Sequence, residues 1–140
     1  MNLEFNIAVH VLAFLNQHDG EVFSSHALAE NVCVNPVQLR RVMSKLQQKS
    51  YVAVRRGKNG GYLATETGPQ IQLVDLFHMF SRPEKHGRLF TGYTGSHCEI
   101  SQKIEKVMYR HYLNEQERIA AYYQQLTIGD IMHQIKEVAD

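Results

Sequence analysis

Between Asn31 and Thr65 the chain carries seven of its fifteen Lys and Arg residues and no Asp or Glu. The seven are Arg40, Arg41, Lys45, Lys49, Arg55, Arg56 and Lys58. The rest of the chain holds eight basic against fourteen acidic side chains, a net charge of −6. A formal total of +1 therefore conceals a strong segregation of charge. A basic block that is also helically patterned is the electrostatic footprint of a phosphate-binding surface. The plainer alternative, a solvated face without acids, leaves the local signals of this block unexplained.

The bulk numbers narrow the frame. At 140 residues the chain forms one domain, or one domain with an extension, around a modest core. An apolar fraction of 44% and a charged fraction of 21% are ordinary for a globular protein. Two cysteines, Cys33 and Cys98, are too few for a secreted disulfide framework, and no CxxC pair marks a zinc ribbon. The longest apolar run, Ile7 to Leu15, is broken by His10 and is too short to span a bilayer. Glu4 precedes it, with no positive leader and no cleavage site, so it does not read as a signal peptide. A cytoplasmic protein with thiols reduced at rest and no membrane partner is expected.

Periodicity then orders the chain. Apolar residues at 5, 8, 9, 12 and 15 predict an amphipathic helix over Leu3 to Gln17, ended by Asp19-Gly20. Ser24 or Ser25 caps a short helix containing Ala27, Leu28 and Ala29. Asn31 to Val34 reads as a tight turn. Asn35-Pro36 restarts a helix, since Asn is a strong N-cap and Pro is favoured at the first helical position. That helix runs to about Gln48. Leu39, Val42, Met43 and Leu46 face its core, Gln38, Arg41, Lys45 and Gln48 lie opposite, and Val37, Arg40 and Ser44 flank them. Tyr51 to Val54 predicts a strand, Arg55 to Gly61 a glycine-rich turn, and Tyr62 to Ala64 the return strand. Helix, short helix, turn, helix and hairpin is the order of a winged helix-turn-helix.

Beyond Pro69 the composition changes. Ile71 to Phe80 predicts a helix with Leu73, Leu76, Phe77 and Phe80 inward. Ser81 to His97 reads as a loop. A long helix from about Glu99 to Gln125 carries Ile104, Met108, Tyr112, Ile119, Tyr122 and Leu126 along one side. Thr127, with Asp130 three residues on, caps a short final helix. The expected fold is mainly α with a small β-hairpin wing. Residues 1–80 form the winged helix-turn-helix, and residues 81–140 supply a sensor loop, the long helix and the short C-terminal helix.

In such an arrangement the second helix enters the major groove, and its N-terminal residues meet base edges. Gln38 suits adenine, Arg40 or Arg41 suits guanine, and Val37 suits a thymine methyl, with Ser44 beside them. Lys45 and Lys49 lie further along and suit phosphates. The hairpin tip carries Arg55, Arg56, Lys58 and Asn59, which can follow the backbone or drop an arginine into a narrow minor groove. The glycines also invite a nucleotide-loop reading, but the Gly-Lys-Ser/Thr ending of that motif is absent.

The string Val34-Asn35-Pro36-Val37-Gln38-Leu39-Arg40-Arg41, then Leu46, Tyr51-Val52 and Arg55-Arg56-Gly57-Lys58-Asn59-Gly60-Gly61-Tyr62-Leu63, resembles the Rrf-type family of bacterial transcriptional regulators. The resemblance extends from the first helix to the last. It implies a homodimeric winged-helix protein binding a palindromic operator in double-stranded DNA, usually as a repressor, with the helix after residue 98 as its dimerisation element. Cluster-binding members carry three cysteines before that helix, whereas Ser81 to Glu99 holds Cys98 alone. An iron–sulfur cluster usually takes four ligands, mostly thiolates, so one held by Cys98 with His86, His97 or Glu99 assisting is only a minor alternative. No cofactor and no metal are expected, and a single-metal site from His86, His97 and Cys98 is a minor alternative.

Thiol chemistry remains. Cys98 falls at the predicted start of the long helix, where free N–H groups favour a thiolate. Cys33 falls in the turn before Asn35, near Arg40 and Arg41. Within a family that senses stress, the pair Cys33 and Cys98 reads as redox-sensing, although a lone cysteine is most often an inert small hydrophobe. A regulator answering to oxidants or electrophiles is the resulting expectation. Two rivals stand beside it: the same fold switched by a small ligand in the aromatic region between Phe77 and Tyr123, and a winged helix that binds protein rather than DNA. No catalytic constellation is legible, so an enzyme is not expected.

Overall fold

The computed structural model describes residues 1–81 and 88–139. Its elements are α1 (Leu3–Gln17), α2 (Ser25–Val32), α3 (Pro36–Gln48), β1 (Val52–Arg55), β2 (Gly61–Ala64), α4 (Leu73–Phe80), α5 (Glu99–Tyr123) and α6 (Ile128–Glu137). A single 3-10 turn, Gly68–Gln70, precedes α4.

Helix α1 is the hub. The Asn2 side chain accepts the Phe5 amide at 2.9 Å and donates to the Phe80 carbonyl at 2.7 Å, which fixes the start of α1 against the end of α4. Ile7, Val11 and Ala13 are buried together with the predicted Phe5, Ala8, Leu12 and Leu15. The helix is thus apolar on several sides rather than amphipathic, because α2, α3, α4 and α6 all pack around it.

Ser24, not Ser25, caps α2 through the Ala27 amide. The expected turn from Asn31 to Val34 is narrower, since α2 continues through Val32. Cys33 then takes the left-handed conformation (φ 60°, ψ 47°), and the Val34 amide returns to the Ala29 carbonyl at 3.1 Å. This is a Schellman closure, a geometry that usually selects glycine. Asn35 next caps α3 by accepting the Val37 amide at 2.8 Å, with Pro36 at the first helical position. Leu39, Val42, Met43 and Leu46 are fully buried, as their spacing requires.

The hairpin pairs Val52 with Ala64 through Arg55 with Gly61. Tyr51 belongs to the close of α3 rather than to the strand, because its amide bonds back to the Leu46 carbonyl at 3.0 Å. Gly61 joins β2. An unforeseen third segment completes the wing: Phe23 pairs antiparallel with Tyr62.

Helix α4 begins at Leu73, two residues later than its spacing suggests. Ile71 and Gln72 are held instead by the chain beyond α5: Ile128 N–H donates to the Ile71 carbonyl and Leu73 N–H to the Leu126 carbonyl, each at 2.9 Å. Along α5 only Tyr123 is buried. It packs on Phe5 and Phe77 at ring-centroid distances of 5.0 and 5.5 Å, while the predicted Tyr122 turns outward. The last turn of α5 meets the core one residue further round than the stripe implies. Helix α6 opens with a complete capping box between Thr127 and Asp130 and packs on α1.

Candidate nucleic-acid interface

The buried stripe of α3 decides which residues face outward. At about 100° per residue, positions 37, 41, 44 and 48 lie opposite Leu39, Val42, Met43 and Leu46. Val37, Arg40, Arg41 and Ser44 are exposed accordingly, whereas Gln38 and Lys45 are half-buried on the flank. Of the residues expected opposite the core, Arg41 and Gln48 stand there, whereas Gln38 and Lys45 lie on the flank and Val37 and Ser44 join the crest.

An acidic residue from outside the basic block reaches this flank. Glu4, in the first turn of α1, places one carboxylate oxygen 3.8 Å from Arg41 Nη1 and the other 3.6 Å from Lys45 Nζ. Lys45 also stands over the Phe80 ring, 5.2 Å from its centroid. Sequence reading missed Glu4. Its one signal is that it is the lone carboxylate of α1, in the first turn.

Beyond Lys45 an open cleft of ≈ 530 Å³ runs between the end of α3 and α4, lined by Gln48, Lys49, Tyr51, Asp75, His78 and Met79. Burial pushes the Tyr51 hydroxyl above its usual range, and the Asp75 charge adds to the effect.

The wing presents Arg55, Arg56, Lys58 and Asn59, all exposed. Two glycines are obligatory in its construction. A Cβ at Gly60 would strike the Arg55 carbonyl, and one at Gly61 (φ +154°) would strike the Phe23 carbonyl. The tip is therefore anchored at its base by backbone contacts, with the cationic side chains left to solvent.

The two thiols are placed differently from one another. Cys98 is the N-cap residue of α5, fully exposed, with its own amide donating to Ser96 Oγ at 3.1 Å. Backbone N–H groups of Ser101, chiefly, and Ile100 hold its thiol below the usual cysteine range. Cys33 stands two residues before the Asn35 cap of α3, as expected, but it also closes the carbonyl end of α2, with its sulfur 3.5 Å from the Glu30 carbonyl oxygen. Both are free and exposed.

The segment before α5 folds back on that helix. Tyr93 N–H donates to the Ser101 carbonyl at 2.8 Å, and the Phe90 ring meets Tyr109 and Tyr112 edge-on. Burial raises the Tyr112 hydroxyl, with Glu115 and Tyr109 contributing. Among the described residues no three His, Cys, Asp or Glu side chains lie together in a way that holds a metal ion. His86, weighed as a ligand, lies outside the described residues. With Cys98 as the sole thiol of the segment, the described donors do not fit an iron–sulfur cluster. No helix among the described residues is long and apolar enough to cross a membrane.

Comparison with known proteins agrees with this architecture. The chain is 22% identical over 137 residues to YwnA of Bacillus subtilis strain 168, described as an HTH-type transcriptional regulator, covering 96% of this chain and 98% of that protein. A solved structure from Lactobacillus plantarum, described as a transcriptional regulator, superposes with a TM-score of 0.84 at 28% identity, over 97% of this chain and 91% of that one. T. potens IscR superposes with a TM-score of 0.69 at 18% identity, over 100% and 92% of the two chains, a likeness of fold alone. The winged-helix fold expected from the sequence is the one found, and these relatives are regulators rather than enzymes. The family profile described as Rrf2, iron-dependent transcriptional regulator, matches residues 1–134, and the chain belongs to that family of transcriptional regulators.

Proposed function

We propose that this regulator binds double-stranded DNA as a homodimer, with α3 in the major groove and the wing against the adjoining backbone. The observation that carries the reading is the exposed crest of Val37, Arg40, Arg41 and Ser44 beside an anchored, cationic wing, within a stretch lacking any acid. Crest side chains reach base edges, and Arg55, Arg56, Lys58 and Asn59 supply phosphate or minor-groove contacts.

The dimer reading rests on α5. Ile100, Val107, Met108 and Tyr122 are exposed along one side of it. A single copy leaves this apolar face in water, and a second copy removes it. Two reading heads then match a two-fold, palindromic operator, and occupancy of such a site represses. The test is selection of duplexes from a random-sequence pool, followed by salt-titrated binding and sedimentation. A two-fold consensus bound by a dimer is expected. Recovery of no consensus, or a monomer at micromolar concentration, defeats the reading.

Redox control is the second part of the proposal, favoured by the exposed, activated thiol of Cys98. Peroxide converts that thiolate to a sulfenic acid with loss of hydroxide. A second thiol, Cys33 of the same or the other subunit, then displaces water to form a disulfide. Such a bridge requires Cα atoms within about 7 Å, so a reading head shifts as it forms. Peroxide-treated protein is expected to lose its operator, and Cys98→Ser to keep it. Unchanged binding after oxidation transfers control to a small ligand.

A further inference from the structure

We infer that Glu4 is an internal counter-charge to the recognition helix, sequestering Lys45 from DNA and biasing the protein against non-specific duplex. This rests on the DNA-binding reading above and adds to it a residue from outside the helix-turn-helix.

The argument begins with position. Asn2 caps α1 and bonds the Phe80 carbonyl, so the first turn of α1 is fixed where α4 ends. Glu4 therefore projects onto the flank of α3 from a rigid base. Its side chain is 13% exposed, against 63% for Arg41 and 44% for Lys45. The carboxylate is the enclosed member of the trio, and the cations cover it.

The two cations are not equivalent. Lys45 has Glu4 on one side and the Phe80 ring on another, so its ammonium is occupied within the protein. Arg41 meets Glu4 through one Nη at 3.8 Å and keeps most of its donor fork in solvent. Arg41 can thus engage a base edge without leaving Glu4. For Lys45, contact with phosphate would strip the carboxylate of its nearest cation and leave it facing the DNA backbone.

The consequence concerns discrimination. Non-specific affinity depends on how many cations release counterions from phosphate. A carboxylate that withholds one of them lowers affinity for every sequence, while base contacts from Arg40 and Arg41 are retained. The ratio of specific to non-specific binding rises as a result.

The test uses the full-length protein and a labelled duplex of scrambled sequence. Glu4→Gln is expected to tighten binding to this duplex and to steepen its salt slope by about one per protomer. Glu4→Asp, which keeps the charge, should stay near wild type, and thermal melting checks that each variant is folded. An unchanged or shallower slope in folded Glu4→Gln overturns the inference. A second measurement needs no substitution. Lysine acetylation of the wild-type protein, read by mass spectrometry, should show Lys58 protected by duplex and Lys45 unaffected. Protection of Lys45 places it on phosphate and overturns the inference. Absence of any salt-dependent duplex binding by wild type sinks the DNA reading itself, and the inference falls with it.

Discussion

The Tyr62 amide donates to the Phe23 carbonyl at 2.8 Å, and the Phe23 amide returns a bond to the Tyr62 carbonyl at 2.9 Å. Through this pair the segment that leads into α2 also holds the base of the wing, so the helix-turn-helix and the hairpin share one backbone joint.

Gly61 makes that joint possible. Gly61→Ala places a methyl against the Phe23 carbonyl at a φ that L-residues avoid. A stability loss of about 1–3 kcal/mol is expected in urea unfolding. Duplex affinity should fall with it, as the wing leaves its anchor. Wild-type stability for this variant would show that Phe23 and Tyr62 separate without cost.

Cys33 offers the opposite result. It holds the left-handed closure of α2, where a side chain costs about 1–2 kcal/mol relative to glycine. Cys33→Gly should raise the unfolding midpoint, and Cys33→Val should lower it. If Cys33→Gly is destabilising, the added freedom of glycine in the unfolded chain outweighs the relief of backbone strain.

Arg40→Ala should weaken binding to the selected operator by about 1–3 kcal/mol and binding to scrambled duplex much less. Equal losses on both would reassign Arg40 to phosphate duty.

Lys58→Ala should behave differently, lowering affinity for any duplex and flattening the salt slope by about one for each phosphate no longer neutralised. If low-salt affinity is untouched, the wing tip does not lie on DNA.

Cys98 carries a pH signature. Its folded thiol titrates below the ordinary cysteine value because α5 amides bind the thiolate, and unfolding removes them. The resulting stabilisation is present above the unfolded pKa and is lost as pH falls through the lowered folded one. Alkylation of Cys98 should therefore show a midpoint below that of a free thiol. A midpoint at or above it removes the reason for assigning Cys98 a sensing role.

Local rules carried much of this fold. Asn35-Pro36, the Leu39 to Leu46 stripe and the Thr127 to Asp130 box depend on neighbours a few residues away, and each stands where its spacing places it. Features set by distant segments were illegible. The Phe23 to Tyr62 pairing, the Ile71 to Ile128 bond and the Glu4 to Lys45 ion pair join residues far apart in sequence. The outward face of α3 lies between these cases. Its buried stripe was read correctly, and counting about 100° per residue from that stripe puts Gln38 and Lys45 on the flank and Val37 and Ser44 outward, so this part was legible but misassigned.

Helix α6 has a bearing on how the molecule comes into being. Ile128 is completely enclosed, and α6 lies against α1, so the first and last helices of the chain are neighbours. Helix α1 is synthesised well before α6, and its final apolar side is covered only once α6 has been made. Contacts spanning nearly the whole chain close late and slow the search. A nascent regulator cut short before residue 128 would expose the flank of α1 formed by Val9, Ala13 and Phe14, a surface that chaperones and proteases read as unfinished.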